Sequence, residues 1–483
     1  MNLETPPPPV ILWPAPAEEI PSPDFTLEAA GRPVFVYQAR VRAKLLQKPG
    51  LWSHEPDPVG ERASFAIFDL AAPATLTVRP ARPFRTATLW PAKAGVQTVI
   101  DKGTITFTVS TPRHLTLLLD GSDAQPLHLF IGAPETDVPR PDDPNCLYFG
   151  PGTHIVNELK VKDGQTVYLA GGAVVKAALD PADKGVFSEK WQVTFYSGAS
   201  VGFAGVQKAS IRGRGILDGS LMPHPARNLI RVTKSKDIRL EGITLRDTPN
   251  WNVSISESED VRVDDLRIIS GRLNSDGINS CNSSRVAVRG CFVRNHDDSI
   301  VVKTLLPGRP AEDITVDDCT IWADWGFGLG ITYETRSPIS RIRFRDCAIV
   351  YARHWCLGVR VCDGALISDV AFENIEIGDF NALSLGGSHN ALTKAPVLLW
   401  MGIVKDIWGH DAEAGLIRGI RVENVTIHGP VIPPVEINGF DAAHPVEDVL
   451  LRNIRLAGKP PAADAAALGL KTNAFVRNIR VSE

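Results

Sequence analysis

The 483-residue chain lacks the features of several common classes of protein. It has no apolar run long enough to span a bilayer, and its 51 basic residues are balanced by 55 acidic ones. Neither nucleic acid nor a membrane is therefore expected as a partner. The first 23 residues hold eight prolines and no basic, apolar leader. The sequence as written predicts a cytoplasmic location, or a periplasmic or secreted one if a signal has been removed.

Zinc motifs and helical periodicity are also missing. The seven cysteines form no Cys-x-x-Cys pair and no zinc-type spacing with paired histidines, so neither a metal nor another cofactor is expected. Cys291, Cys319 and Cys347 recur at one interval and are expected to be small buried apolar residues. Apolar residues alternate with a period of two rather than 3.6. This pattern predicts an all-β protein.

A short phrase recurs about ten times in the last two thirds of the chain. In the copy at residues 314–321, apolar residues alternate, a Gly, Asp or Asn marker follows, and the alternation resumes one step out of phase. The markers are Gly213, Gly242, Asp265, Gly290, Asp318, Asp346, Asn374, Asn424, Asn453 and Asn478. Their intervals are 29, 23, 25, 28, 28, 28, 50, 29 and 25 residues, which is the period of a solenoid.

The phrase describes a strand that bends at the marker and continues. Without helices for crossovers, such strands can pair side by side only if the chain winds into coils stacked about 4.8 Å apart. A sandwich or a propeller would also contain many short strands, but it should show Asn-Gly or Asp-Gly turns between them. The repeat therefore predicts a right-handed parallel β-helix over residues 146–483.

The first 135 residues lack the phrase. They contain ordinary alternating segments at residues 35–41, 74–78, 104–109 and 114–119, separated by turns rich in proline and glycine. A small antiparallel β-sandwich domain is predicted there, because a chain of this length exceeds one ordinary core. Residues 136–145, rich in proline and aspartate, are the predicted linker.

One interval of 50 residues exceeds an ordinary coil by about 22 residues. The excess falls within residues 378–417, which contain Trp400, Trp408, His410 and Asp411. The segment is either an insertion on the working face or two coils, one of them with a degraded phrase.

Polar residues follow the marker at similar offsets in two adjacent coils, at residues 274–277 (Asn-Ser-Asp-Gly) and 295–298 (Asn-His-Asp-Asp). Adjacent coils should bring Asp276, Asp297 and Asp298 within several ångströms of one another. Such crowding opposes ionisation of all three, so that at least one proton is retained to high pH. Cleavage of a glycosidic bond requires one protonated carboxyl group and one ionised carboxylate.

Each of these features also has a structural explanation. An Asp pair in a turn is usually a solvated turn former, and three carboxylates can bind calcium. His296 and His354 are more often structural hydrogen-bonding residues than bases. Six of the ten tryptophans lie in the coils around the acids, where they could be platforms for sugar rings or core residues. They are Trp251, Trp322, Trp325, Trp355, Trp400 and Trp408.

With these motifs the sequence resembles glycoside hydrolase family 28, the polygalacturonases, and its clan partner family 49, the dextranases and isopullulanases. Residues 274–277 are similar to the Asn-Thr-Asp signature, with Ser for Thr, and residues 297–303 to the Asp-Asp signature with its following strand and lysine. The resemblance covers roughly residues 145–480, and the preceding sandwich is similar to the family 49 arrangement. It implies that Asp297 is the general acid and that Asp276 and Asp298 hold the attacking water.

Two family signatures are altered. The Gly-His-Gly signature appears as Gly-Phe-Gly at residues 326–328, and the Arg-Ile-Lys signature that grips a uronate carboxylate appears as Arg-Val-Cys at residues 360–362. Loss of the lysine favours a neutral or differently charged α-linked glycan over pectin, with Arg360 retained as a substrate contact. Tyr333 and Glu334 are candidates to replace what was lost.

The leading hypothesis is an inverting glycoside hydrolase that acts on an α-linked, neutral oligo- or polysaccharide. The predicted substrate contacts are Asn274, Lys303, Trp325, Phe327, Tyr333, Glu334, His354, Arg360 and Trp408. Three alternatives stay open: a polygalacturonase- or rhamnogalacturonan-type hydrolase of uronate-containing glycans, a calcium-dependent polysaccharide lyase with Arg360 or Lys303 as base, and a non-catalytic glycan-binding protein.

Overall fold

The computed structural model describes residues 8–42, 61–189, 193–379 and 396–483, and it is almost entirely β. Strands of the first 132 residues form a six-stranded and a five-stranded sheet. The six-stranded sheet contains Val10–Ile11, Tyr37–Arg42, Glu61–Leu70, Ala87–Trp90, Arg113–Leu119 and Leu127–Gly132. The five-stranded sheet contains Phe25–Ala29, Arg32–Val34, Ala74–Pro80, Val99–Asp101 and Thr104–Val109, and a 3-10 helix spans Ala92–Ala94. In the described parts of the chain, no helix has the length and apolar character needed to cross a membrane.

The two sheets enclose one apolar core, which includes Phe68, Leu76 and Phe107. The pairings are antiparallel except for one, in which Leu127–Gly132 runs parallel to Glu61–Leu70. This part of the chain ends its last strand at Gly132, and the first strand of the helix starts at Cys146. The division into domains at residues 136–145 stays a prediction.

The remaining chain winds into a parallel β-helix, as predicted, and this helix has three faces. We call the strands before each marker the first face and those after it the second face; both belong to one 20-stranded sheet. The first face contains Cys146–Phe149, Thr166–Leu169, Gln207–Gly213, Lys236–Glu241, Glu259–Asp264, Ser284–Arg289, Ala311–Asp317 and Ile339–Arg345. The second contains Gly152–Val156, Ala173–Ala177, Ile216–Asp218, Thr244–Arg246, Arg267–Ile269, Phe292–His296, Thr320–Trp325 and Ala348–Ala352. Four strands continue through both faces: Leu366–Ile377, Leu416–Ile427, Val446–Leu456 and Val476–Ser482.

The third face is an 11-stranded sheet to which each coil adds one strand. Its strands are Leu159–Val161, Ala199–Ala204, Asn228–Thr233, Val253–Ser256, Ile278–Cys281, Ile300–Thr304, Phe327–Thr335, Trp355–Val361, Val397–Ile403, Val435–Asn438 and Leu470–Thr472. A hairpin of Val186–Ser188 and Val193–Phe195 lies outside the three faces. The fold class is therefore confirmed: an all-β protein in which a parallel β-helix follows a pair of largely antiparallel sheets.

All ten markers adopt a positive φ, between 51° at Asp318 and 132° at Gly213. Left-handed backbone is strained for most residues, and glycine, asparagine and aspartate tolerate it best. The choice of residue at the marker thus follows from the bend between the first and second faces. The asparagine markers also stack, because the amide of Asn424 donates to Asn374 at 3.0 Å and that of Asn453 donates to Asn424 at 2.8 Å.

The residue after each marker points into the helix and forms a column with its counterparts in neighbouring coils. Leu266, Cys291, Cys319, Cys347 and Ile375 occupy this column and are 0–1% exposed. Each of the three thiols is free, and they fill the interior as small apolar residues.

The sandwich packs against the second face of the helix. Phe65 and Phe130 of its six-stranded sheet contact Phe292 and Ile269 of the helix in a separate apolar cluster. Buried ion pairs and hydrogen bonds surround this cluster, such as Asp69 with Arg214 at 2.9 Å. The second face is therefore covered, whereas residues of the third face line a cleft.

The long interval between markers corresponds to one coil and not two. The strands Leu366–Ile377 and Leu416–Ile427 pair directly, and between them the described residues add a single strand to the third face, Val397–Ile403. That strand pairs with Trp355–Val361 of the coil below. The described extra residues at 404–415 border the cleft, while residues 380–395 of the predicted insertion lie outside the described residues.

Candidate active site

The three acidic residues lie in the turns that join the second face to the third. Asp276 precedes the strand Ile278–Cys281, and Asp297 and Asp298 precede Ile300–Thr304, which pairs with it in the next coil. One oxygen of each carboxylate lies within 4.8 Å of the other two. Asp276 and Asp298 are buried, whereas Asp297 is partly exposed to the cleft. The structure therefore brings the three predicted acids together.

Two buried asparagines hold these turns in place. Asn252 Nδ2 donates to the carbonyl oxygen of Asp276 at 2.9 Å. In the coil that carries the Asp pair, Asn295 Nδ2 donates to the carbonyl oxygens of Asp297 and Asp298, both at 2.9 Å. Because backbone carbonyls in a buried turn need partners, these amides replace the hydrogen bonds that a regular strand would supply.

Asp298 is surrounded by hydrogen-bond donors. Its Oδ1 accepts from the backbone N–H of Phe327 at 3.1 Å, and its Oδ2 accepts from the hydroxyl of Thr332 at 2.8 Å. Lys303 Nζ lies 3.2 Å from the same Oδ2 and 3.1 Å from Glu334 Oε2. Both oxygens of Asp298 therefore have a donor, and one of the donors is the cation Lys303.

Burial and crowding displace the pKa values of the neighbouring groups. Burial and then the carboxylate of Asp298 raise the pKa of Asp297 to about 7, although Lys303 opposes the shift. Burial and then Asp297 raise the pKa of Asp276 well above its usual range. For Lys303, burial lowers the pKa, but Glu334 and the aspartates outweigh it and the pKa is raised well above its usual value. Protons are thus retained on the trio while the lysine stays charged.

A bulge presents Tyr333 and Glu334 to this site. Between Val302 and Thr304 the register against the next strand of the third face shifts, and the strand opposite contains two extra residues. Tyr333 adopts a φ of 56°, which is rare for an aromatic residue. Lys303 Nζ lies 5.3 Å from the Tyr333 ring centre and bonds to Glu334. A bulge of this kind changes the direction of the side chains it contains. Here it directs Tyr333 and Glu334 towards Lys303.

Arg360 lies beyond the acids and is paired. Its Nη2 is 2.5 Å from Asp406 Oδ2, and its guanidinium lies 4.8 Å from the Tyr333 ring centre and 5.1 Å from that of Trp400. Burial lowers the pKa of Arg360, but the hydrogen bond to Asp406 outweighs it and the pKa is raised. Cys362, which stands where the family signature has lysine, has its Sγ 3.5 Å from Asp406 Oδ1.

A cavity of about 530 Å³ extends from the acids in the opposite direction. Asn274 and Trp251 line it, and Trp408 contributes from the loop after the strand Val397–Ile403. The Trp251 ring centre is 5.5 Å from Lys303 Nζ, so the cavity is continuous with the acidic site. Of the predicted contacts, Asn274, Lys303, Tyr333, Glu334, Arg360 and Trp408 thus line the acids or the cleft beside them.

Trp325 and His354 form an aromatic stack with His296 beside the Asp pair. The Trp325 ring is stacked on His296 at 5.6 Å and meets the edge of His354 at 4.1 Å. Burial and then Arg353 lower the pKa of His354 to about 4. The imidazole of His354 is therefore neutral at pH 7, and both predicted contacts remain partly exposed.

The prediction of Phe327 as a substrate contact is wrong for its side chain. Phe327 is fully buried and stacks on Trp355 at 4.5 Å. It also packs against Gly358, where an added Cβ would lie 2.2 Å from the Phe327 ring. Its backbone N–H, which bonds to Asp298, is the part that reaches the site. The ring fills space in the wall instead of facing a ligand.

Several residues of the site were not among the predicted ones. Asn252 and Asn295 carry no distinctive signal, since buried asparagines are identified only once the coils are aligned. Asp406 lies 46 residues after Arg360 and outside the repeat. Trp251 could have been found, because it belongs to the cluster of tryptophans and immediately precedes Asn252.

Comparisons with known proteins agree with this architecture. Residues 152–382 match the model of the family described as glycosyl hydrolases family 28. A polygalacturonase from Chamaecyparis obtusa is 23% identical over 224 residues, which are 41% of this chain and 42% of that protein. A probable polygalacturonase from Vitis vinifera is 23% identical over 144 residues, 28% of this chain and 29% of that one. The chain thus spans less than half the length of the curated relatives it matches.

Two solved structures share the fold. Dex49A from Penicillium minioluteum superimposes with a TM-score of 0.56 at 12% identity and covers 98% of both chains. A hyperthermoactive exopolygalacturonase from Thermotoga maritima has a TM-score of 0.51 at 15% identity. The match covers 69% of this chain and 82% of the exopolygalacturonase chain. The resemblance of the sequence to glycoside hydrolase family 28 and its clan partner family 49 is therefore confirmed, with residues 152–382 as the segment that matches family 28.

Proposed function

We propose that the protein is an inverting glycoside hydrolase that cleaves a neutral, α-linked oligo- or polysaccharide. Asp297 donates its proton to the glycosidic oxygen as the bond from that oxygen to the anomeric carbon breaks. A water held by Asp276 and Asp298 attacks the anomeric carbon from the opposite side. The proton that this water loses passes to one of these two aspartates. The step consumes one water and leaves Asp297 to be reprotonated.

The crowding of three carboxylates at the bottom of the cleft carries this proposal. A pKa of about 7 keeps much of Asp297 protonated at neutral pH, as a general acid requires. Asp297 is also the member of the trio that is partly exposed, so it can meet a glycosidic oxygen. The backbone N–H of Phe327, the hydroxyl of Thr332 and the ammonium of Lys303 surround the oxygens of Asp298, and this arrangement suits a carboxylate that positions water. A proton donor and a group to hold the water thus lie side by side.

The pairing of Arg360 supports a neutral substrate. A uronate carboxylate placed there would compete with Asp406, whose oxygen is 2.5 Å from the guanidinium. The lysine of the family signature is replaced by Cys362, and a cysteine supplies no cation. Burial and Asp406 raise the pKa of Cys362 to about 12, so the thiol is neutral at pH 7. Tyr333, Trp400 and Trp408 offer ring surfaces suited to the apolar faces of neutral sugars.

A panel of α-linked oligosaccharides, followed by proton NMR of the first product, tests the proposal. The first product should carry the inverted anomeric configuration, and the rate should fall as the pH rises through about 7, because Asp297 then loses its proton. The carboxylate oxygens approach within 4.8 Å, closer than the about 6.5–9.5 Å typical of inverting enzymes, so the anomer is the decisive readout. Retention of configuration would contradict the proposed mechanism.

A hydrolase of uronate-containing glycans is the second candidate, because the curated relatives named above are polygalacturonases. Polygalacturonate and rhamnogalacturonan belong in the same panel for this reason. Faster turnover of polygalacturonate than of every neutral glycan would favour this candidate and would contradict the neutral substrate.

The lyase and binding-protein alternatives receive less support. The bases available to a lyase are unsuitable, because neighbouring carboxylates raise the pKa of Lys303 well above its usual value and Asp406 raises that of Arg360. A calcium-dependent lyase would give an unsaturated product that absorbs in the ultraviolet and disappears with a chelator. A binding protein would retain its affinity when all three aspartates are replaced and would turn over no glycan.

A further inference from the structure

The cavity beside the acids contains an arginine at its far end. Arg231 lies on the third face in the strand Asn228–Thr233 and lines the cavity. In register it stands opposite Ser254, which in turn stands opposite Asn279. Asn279 Nδ2 donates to Asp276 Oδ2 at 2.9 Å. Arg231 is therefore two coils from the acidic site, a distance of about 10 Å along the cleft, or roughly two sugar units.

Arg231 has no ionic partner among the described residues. No carboxylate of the described chain lies within 4.0 Å of its guanidinium, and no described group forms a hydrogen bond with that guanidinium. Among the described residues that line the cavity it is the only cation. The acidic residue of the lining, Glu257, has its carboxylate 3.9 Å from Lys234.

The surroundings of Arg231 are those of a binding site and not of open surface. The residue is half-buried, and burial lowers the pKa of its guanidinium despite the distant Glu158. A partly desolvated cation without a counter-ion is costly, and buried polar groups in proteins are normally paired. Ser254 and Trp251 between Arg231 and the acids supply a hydroxyl and a ring surface for sugars. The counter-ion is thus best supplied by a ligand that occupies the cavity.

The two ends of the cleft therefore differ in charge. On one side of the acids, Arg360 is neutralised by Asp406. On the other, Arg231 carries a free positive charge with five donors in a planar fork that matches a carboxylate or a sulfate.

We propose that Arg231 binds an anionic group, a carboxylate or a sulfate, on a sugar located about two units from the cleaved bond, on the side of the acids opposite Arg360. This inference rests on the proposed function for the identity of the ligand as a glycan, and it narrows that proposal: the sugars at the cleaved bond and on the Arg360 side are neutral, whereas one sugar at Arg231 carries the anion. It assigns charge recognition to the cavity and neutral recognition to the Arg360 side of the cleft.

Binding of matched oligosaccharides to the full-length Asp297→Asn variant tests the proposal without turnover. The probes are tetragalacturonate, its carboxyl-reduced neutral form, and a tetrasaccharide without carboxylates that carries a sulfate. Their binding is measured by calorimetry at low salt. Arg231→Gln in this background should weaken binding of an anionic probe at least tenfold and change binding of the neutral probe less than twofold. Arg262→Gln, an exposed arginine on the first face, is the matched control and should change neither.

The charged probe that responds to Arg231→Gln identifies the anion as carboxylate or sulfate. The loss of affinity caused by Arg231→Gln should also be smaller at high salt, because salt screens the contact between the two charges. Equal weakening of charged and neutral probes, or no weakening of either anionic probe, would overturn the assignment of Arg231. Failure of the proposed function is distinguishable: a wild-type protein that hydrolyses no glycan, but still shows the Arg231-dependent preference, would contradict hydrolysis and leave anion binding intact.

Discussion

Asp265 on the covered side of the helix and Asp297 in the cleft are both partly enclosed carboxylates, yet their pKa values move in opposite directions. Burial raises both. At Asp265, Arg267 at 2.5 Å and His114 at 2.8 Å outweigh burial and lower the pKa to about 2. At Asp297, the neighbouring Asp298 adds to burial, and the pKa rises to about 7. The partner, and not burial, decides which protonation state the fold favours.

The same contrast separates the two faces of the helix. Where the sandwich covers the second face, buried charges are matched, as in the pair of Arg294 and Asp324 at 2.9 Å. Where the third face forms the cleft, carboxylates outnumber cations. Some matched pairs, such as Asp69 with Arg214, also join the six-stranded sheet to the helix. Carboxylates crowded together without matching cations retain a proton at a cost in stability, which is typical of functional sites. The following experiments test this division.

Replacement of the proposed acid should have the largest effect. Asp297→Asn should lower kcat on the hydrolysed glycan by about a thousandfold, because an amide cannot donate the proton. The melting temperature should not fall, since one member of a crowded trio becomes neutral. Asp346→Asn is the control, because asparagine already occupies the equivalent marker at Asn374. Equal activity of the two variants would remove Asp297 from the reaction.

Disruption of a matched pair should cost stability and not activity. Asp324→Asn leaves the guanidinium of Arg294 buried without its carboxylate, and both side chains are 0% exposed. We expect the free energy of unfolding to fall by about 3 kcal/mol in chemical denaturation. The partly exposed pair of Asp317 and Arg345 provides a comparison, for which Asp317→Asn should cost less than about 1 kcal/mol. Similar losses in both variants would contradict a special role of the covered pair.

The two carboxylates should give opposite dependences of stability on pH. The raised pKa of Asp297 contributes stability below about pH 4 that is lost as the pH rises through about 7. The free energy of unfolding of Asp297→Asn minus that of wild type should therefore increase by on the order of 2 kcal/mol as the pH rises from 4 to 7. The lowered pKa of Asp265 contributes stability above about pH 4 that is lost as the pH falls towards 2, so Asp265→Asn should be destabilising at pH 7 and less so at pH 3. Parallel curves for the two variants would contradict the contrast.

The repeat made the fold and the acidic trio predictable because both depend on spacing along the chain. A Gly, Asp or Asn at each bend follows from its left-handed backbone, and coils of regular length place Asp276 beneath Asp297 without any knowledge of packing. The alternation of apolar residues likewise predicted three buried cysteines in one column.

What the sequence could not predict depends on contacts between irregular segments. Asp406 lies in the long loop of the widest coil, so no periodicity relates it to Arg360. The side chain of Phe327 turns inward because the start of its strand packs on Trp355, which the motif spacing does not reveal. The unpaired state of Arg231 is a property of its surroundings, since nothing in the chain near it differs from the paired arginines.

The pair of Arg360 and Asp406 is a matched pair inside the cleft, and breaking it should have the smallest effect. Asp406→Asn frees the guanidinium of Arg360. The asparagine can still accept the hydrogen bond that the backbone N–H of Trp408 donates to Asp406 Oδ1 at 2.9 Å in the wild type. We expect binding of tetragalacturonate to tighten about tenfold, because a charged hydrogen bond becomes available, with little change for its carboxyl-reduced form. Asp411→Asn, which removes the nearby partner of Arg336, serves as the control. If Asp406→Asn weakens both probes equally, Asp406 contacts the substrate directly, and the neutral character of that side of the cleft does not arise from pairing.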